Sequence, residues 1–103
     1  MSFWGEKLFP DDLKTLRDKV TEITLEIIRL SGERLSLARR IGEIKVKNKM
    51  PIDDPLVENE LRDKVIDFSR KHGINIDFSL RLLNLLMEEA KRVQREVAES
   101  SPI

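Results

Sequence analysis

A chain of 103 residues, 40% apolar and 37% charged, has the length of one domain, and Leu, Ile, Val and Phe make up about a third of it, enough to build a core. Nineteen basic and nineteen acidic residues cancel, which removes the global positive field that nucleic-acid binding draws on. The absence of cysteine excludes disulfide scaffolds, thiolate metal sites and cysteine nucleophiles, and no uncharged run approaches the ~18 residues needed to span a bilayer.

Residues 1–10 form a leader that carries Phe3, Trp4 and Phe9, three of the five aromatics, and is expected to dock on the body that follows. It lacks the basic stretch and apolar core of a secretory signal, so a cytoplasmic location is expected. The domain proper is expected over residues 11–100. From about Asp11 to Lys47, apolar residues fall at Leu13, Leu16, Val20, Ile23, Ile27, Leu30, Leu37, Ile41 and Ile44. This alternation of threes and fours is interrupted only at Arg34, and it predicts one long helix with a heptad seam.

A second helix begins with Asp54 as N-cap and Pro55 at its first position, carries Leu61, Val65 and Phe68 on one stripe, and ends at His72-Gly73. His72, the single histidine, sits there as a C-terminal cation beside a left-handed glycine cap. A third helix starts near Asp77, with Leu83, Met87, Ala90 and Val97 on one stripe and Leu82, Leu86 and Val93 beside it. The fold class is therefore all-α, three helices in the order long, short, long.

The first helix would be ~55 Å long at 1.5 Å per residue, against a radius of gyration of only ~13 Å for a compact globule of this size. One chain cannot bury its seam, so a second copy is expected, paired antiparallel about a twofold axis near residue 28. Gly32 and Gly42 each cost ~1 kcal/mol inside a helix, which is consistent with close helix crossings at both.

Three polar side chains stand on otherwise apolar columns: Arg34 in the seam, Glu58 at the head of the second stripe, and Gln94 between Ala90 and Val97. Each needs a partner, because burying an unpaired charge or amide costs several kcal/mol. One solution is internal, a buried Arg34–Glu58 salt bridge completed by Gln94. The other is a pocket whose polar partner is a ligand. Lys45 lies on a neighbouring face three turns beyond Arg34, and Arg17 lies ~42 Å from Lys45 along one helix. In the antiparallel pair, Arg17 of the partner subunit falls between Arg34 and Lys45, and three converging cations suit an anion with at least two negative charges.

The run Leu16-Arg17-Asp18-Lys19-Val20, the segment Gly32-Glu33-Arg34 leading to Ala38-Arg39-Arg40-Ile41-Gly42-Glu43-Ile44-Lys45, the turn Pro51-Ile52-Asp53-Asp54 with Glu58 after it, and Gln94 together resemble the all-helical chorismate mutases. The resemblance covers roughly Leu13 to Val97. It implies an intertwined homodimer with two sites, each taking Arg17 from the partner. The implied enzyme is an isomerase that rearranges chorismate to prephenate for aromatic amino-acid (Phe/Tyr) biosynthesis, with no cofactor, metal or covalent intermediate. Arg34 and the partner's Arg17 would hold the two substrate carboxylates, Lys45 and Gln94 would donate to the ether oxygen, and Glu58 with the backbone near Asp54 would bind the ring hydroxyl.

Val57 stands where the family often has a further carboxylate-binding arginine, and Ala90 where a serine can touch substrate. No appended dehydratase, dehydrogenase or regulatory domain is expected. Two other readings stay open: an isochorismate pyruvate-lyase on a similar helical dimer, against which Glu58 argues, and a non-enzymatic helical dimerisation module that uses Arg34, Glu58 and Gln94 to set register.

Overall fold

The structure, a computed structural model, describes residues 10–101, so the expected docking of Phe3, Trp4 and Phe9 lies outside the described residues. Three α-helices follow one another: α1 over Pro10–Lys47, α2 over Pro55–Lys71 and α3 over Ile76–Ser100. This is the long, short, long order of the apolar periodicities, and no strand occurs among the described residues. No helix among them is long and apolar enough to cross a membrane. The chain divides into two compact units, one up to Gly32 and one from Glu33 onward, with the boundary inside α1.

In the first unit the helix is supported by local pairs. Lys14 and Asp18 meet at 2.9 Å, Arg29 Nε donates to Glu26 at 2.9 Å, and the hydroxyls of Thr21, Thr24 and Ser31 donate back to carbonyls one turn earlier. The Arg29 guanidinium holds the exposed Glu26 carboxyl below the usual range. The seam residues Leu13, Leu16, Val20, Ile23, Ile27 and Leu30 are all exposed.

In the second unit α1 ends at a turn where Lys49 takes a positive φ of 54°; Met50 N–H bonds to Lys45 O at 2.8 Å and the Asn48 amide to Ile44 O at 2.8 Å. Asp54 caps α2 as expected, its side chain accepting from Val57 N–H at 3.3 Å with Pro55 in the first turn. His72 closes α2, and Gly73, at φ +66°, supplies the left-handed residue. Asn75 caps α3 by accepting from Phe78 N–H at 2.8 Å.

The core consists of Ala38, Leu83, Met87 and Val93 with the polar Ser69 and Gln94. On α2 the buried position is Ser69, while Phe68 of the expected stripe is exposed and lies with its ring 4.2 Å from that of His72. The inward column advances by fours through Leu61, Val65 and Ser69, and the Ser69 hydroxyl is satisfied by donating to Ser79 Oγ at 2.7 Å. On α1 the seam residues Leu37, Ile41 and Ile44 remain exposed, and the buried positions are the small Ala38 and Gly42. A Cβ at Gly42 would lie 3.0 to 3.2 Å from Cγ, Cα and Cβ of Gln94, so this glycine lets α1 approach α3. At Gly32 nothing among the described residues of a neighbouring element comes within 4 Å of a built Cβ.

Candidate active site

A cavity of about 450 Å³ opens in the second unit. Arg34, Ala38 and Lys45 face it from α1, Ile52 and Asp54 from the connecting loop, Val57 and Glu58 from α2, and Met87, Ala90, Lys91 and Gln94 from α3. Of the expected site residues, Arg34, Lys45, Asp54, Glu58 and Gln94 are thus brought together. Arg17 lies in the other unit and is not part of this lining.

Each polar group has a defined partner. Arg34 Nη1 donates to Leu86 O at 3.1 Å, which leaves most of the guanidinium's five N–H groups for other acceptors. Lys45 Nζ donates to Ile52 O at 2.6 Å and to Gln94 Oε1 at 3.2 Å. Because Oε1 of the buried Gln94 is turned to Lys45, its NH₂ is the end that remains as donor. The lysine still has a third proton, so a cationic and a neutral donor converge from α1 and α3.

Glu58 stands in the first turn of α2, where the helix dipole favours a carboxylate. Its Oε2 lies 2.9 Å from Lys91 Nζ, and the same ammonium is 3.2 Å from Asp53 Oδ1. The internal pairing of Arg34 with Glu58, completed by Gln94, is therefore not what forms. Lys91 on α3 takes the glutamate, Arg34 turns to a backbone carbonyl, and Gln94 pairs with Lys45. Among the described residues no buried side-chain nitrogen or oxygen lacks a partner. Hydrogen bonding to Glu58 and then to Asp53 raises the Lys91 pKa above the usual lysine value, against a smaller opposing effect of burial. Because the folded value is the higher one, the stabilisation from this clamp is complete below the ordinary lysine pKa of ~10.4 and fades only as pH climbs through the raised value.

Sequence reasoning missed Lys91, Asp53 and the carbonyls of Ile52 and Leu86. Lys91 had a readable signal, since it lies four residues after Met87 and three before Gln94 and so shares their inward column. The carbonyls had none, because every residue carries one.

The fold and cavity define an all-helical domain whose pocket is lined by the cations Arg34 and Lys45, the amide of Gln94 and the carboxylate of Glu58. Residues 16–95 match the model of the chorismate mutase type II family, and the chain belongs to that family. It is 30% identical over 91 residues to a chorismate mutase of Methanocaldococcus jannaschii, covering 88% of this chain and 92% of that one. It is 43% identical over 61 residues to a bifunctional chorismate mutase/prephenate dehydratase of Aquifex aeolicus, covering 59% of this chain and 17% of the relative. With the enzyme of the same bifunctional name from Escherichia coli K12, identity is 25% over 87 residues, covering 84% and 22%. The chain thus corresponds to nearly the whole of the first relative and to less than a quarter of the two bifunctional ones.

Proposed function

We propose that this cavity binds chorismate and rearranges it to prephenate, supplying aromatic amino-acid biosynthesis, and that two copies of the chain complete each site. The observation that carries the reading is the convergence of Lys45 and Gln94, 3.2 Å apart, in a cavity that also holds Arg34 and Glu58. In this isomerisation a C–O bond breaks as a C–C bond forms within one molecule. Nothing leaves and no proton moves, so the protein has two tasks: to hold the reactive shape and to stabilise developing charge.

Arg34 and Arg17 of the partner subunit grip the two carboxylates and select the diaxial, chair-like conformer, which converts bound substrate into a near-attack geometry. Lys45 and the Gln94 NH₂ donate to the ether oxygen, which gains negative charge as its bond to the ring breaks. Such preorganised donors act in a partly dry site, where they are worth far more than in water. Glu58 accepts the ring hydroxyl, with the loop backbone near Asp54 beside it. Since Gln94 is a neutral donor, activity extends across neutral pH. Val57 and Ala90 face the cavity as apolar groups, so fewer residues hold one of the carboxylates.

The dimer is supported by the state of the seam. The six seam residues of α1 from Leu13 to Leu30 are exposed by 39% to 62%, a row that a lone soluble chain rarely presents. A second copy running antiparallel covers it and carries Arg17 toward Arg34. The test is to incubate the purified chain with chorismate, follow loss of the diene absorbance and identify the product by NMR. Prephenate is expected. Release of pyruvate would favour the lyase, and an unchanged substrate would favour the dimerisation module.

A further inference from the structure

One cavity cation has no part in the rearrangement as described. Lys91 lies on α3 among the inward residues, and its side chain and that of Glu58 are each 24% exposed. Its ammonium is shared between Glu58 Oε2 at 2.9 Å and Asp53 Oδ1 at 3.2 Å. Two carboxylates on one ammonium neutralise it, which makes it a poor attractor for a substrate carboxylate and a good clamp.

The clamp belongs to a wider arrangement in which three consecutive loop residues are tied to three different helices. The Ile52 carbonyl accepts from Lys45 of α1, the Asp53 carboxylate pairs with Lys91 of α3, and the Asp54 side chain accepts from the Val57 N–H of α2. Lys91 therefore fixes both the carboxylate of Glu58 and the strand of backbone next to it. By engaging Oε2 it removes the rotamer freedom of a long side chain and leaves Oε1 as an acceptor.

We propose that Lys91 is a positioning residue for recognition of the substrate's ring hydroxyl: it holds Glu58 and the 52–54 loop in the alignment that makes the site prefer a hydroxylated ring. The proposal rests on the reading of the chain as a chorismate mutase with Glu58 as hydroxyl acceptor. As a lysine, Lys91 is cationic throughout the neutral range, and its two carboxylate partners hold that proton more firmly still.

The experiment compares kcat/KM for chorismate and for an analogue lacking the ring hydroxyl, in the full chain and in Lys91→Met, Lys91→Arg, Glu58→Gln and the Lys91→Met/Glu58→Gln double variant. The wild type is expected to favour chorismate. Lys91→Met should lose about tenfold on chorismate, through KM, the size of one hydrogen bond to a charged group, and leave the analogue unchanged. Lys91→Arg should restore most of the loss, and adding Lys91→Met to Glu58→Gln should cost nothing further. A loss of equal size on both substrates, or one that adds in full to that of Glu58→Gln, would overturn the proposal. Should Lys91→Met fail to fold by circular dichroism, Lys91→Gln supports the same comparison with the same two outcomes. A wild type inactive on chorismate would overturn the mutase reading itself and this inference with it, a result distinct from an active wild type whose variants fail to discriminate.

Discussion

Along residues 13–30 of α1 the large apolar seam is exposed, whereas from Arg34 onward, where the seam residues Leu37, Ile41 and Ile44 are exposed as well, the same helix adds a second column, the small Ala38 and Gly42, that is buried, with Gly42 set against Gln94 of α3. Both stretches are helical and both carry the three-and-four alternation. They differ in what each offers a neighbour. Large side chains in a row need a partner that brings apolar surface of its own, while a small-residue column lets a helix of the same chain come close enough for Arg34, Lys45 and Gln94 to share one cavity. In the proposed enzyme one half of the helix builds its own site and the other half completes the neighbour's.

The strongest way to break that division is at the cavity end. Arg34→Ala and Lys45→Ala should each lower kcat/KM on chorismate by about 10²–10³-fold, and Gln94→Ala by a similar amount, because each removes a preorganised donor. Initial rates read the loss, and thermal melts by circular dichroism should show the fold retained. Variants that keep activity and gain stability would mark Arg34, Lys45 and Gln94 as a structural network.

At the other end, Ile23→Asp or Ile27→Asp places a charge in the seam. Sedimentation equilibrium should then show monomer at concentrations where the wild type is expected to be dimeric, with activity falling more than tenfold as Arg17 is withdrawn. A wild type that sediments as a folded 12.0 kDa species at micromolar concentration would remove the shared site.

The two glycines make a smaller and sharper contrast. Gly42→Ala gains ~1 kcal/mol of helix propensity but forces a methyl to 3.1 Å from a backbone atom of Gln94. Overpacking of that kind costs ~1–3 kcal/mol, so the net effect is a lower Tm together with reduced activity. Gly32→Ala meets no described atom within 4 Å and should raise Tm by the propensity gain. A fall in Tm at Gly32 would report a partner backbone at that point.

The helices, the Asp54 cap, the Gly73 terminus and the inward placement of Arg34, Glu58 and Gln94 were legible because each depends on local chemistry: periodicity, a capping side chain, a positive φ, a polar residue on an apolar column. The pairing of those inward groups was not legible. Which cation takes Glu58 depends on how α2 and α3 are juxtaposed, and Lys91 wins over Arg34 through a placement that only the packed helices define. Phe68 and Ser69 teach the same lesson, since a stripe read in threes and fours leaves open which neighbour faces in, and the hydroxyl of Ser79 makes the serine the residue that can be buried.

The measurement that bears most directly on the shared site uses two variants that are each expected to be nearly inactive, Arg17→Ala and Arg34→Ala. Unfolded together and refolded at equal concentration, they should form about half mixed dimers by random association. Each mixed dimer holds one site with both arginines and one with neither, so activity should return to about a quarter of the wild-type value. If mixed dimers are demonstrated by mass, with one variant labelled with 15N, and activity stays at the level of the parent variants, Arg17 is not supplied across the interface and the division of labour along α1 is wrong.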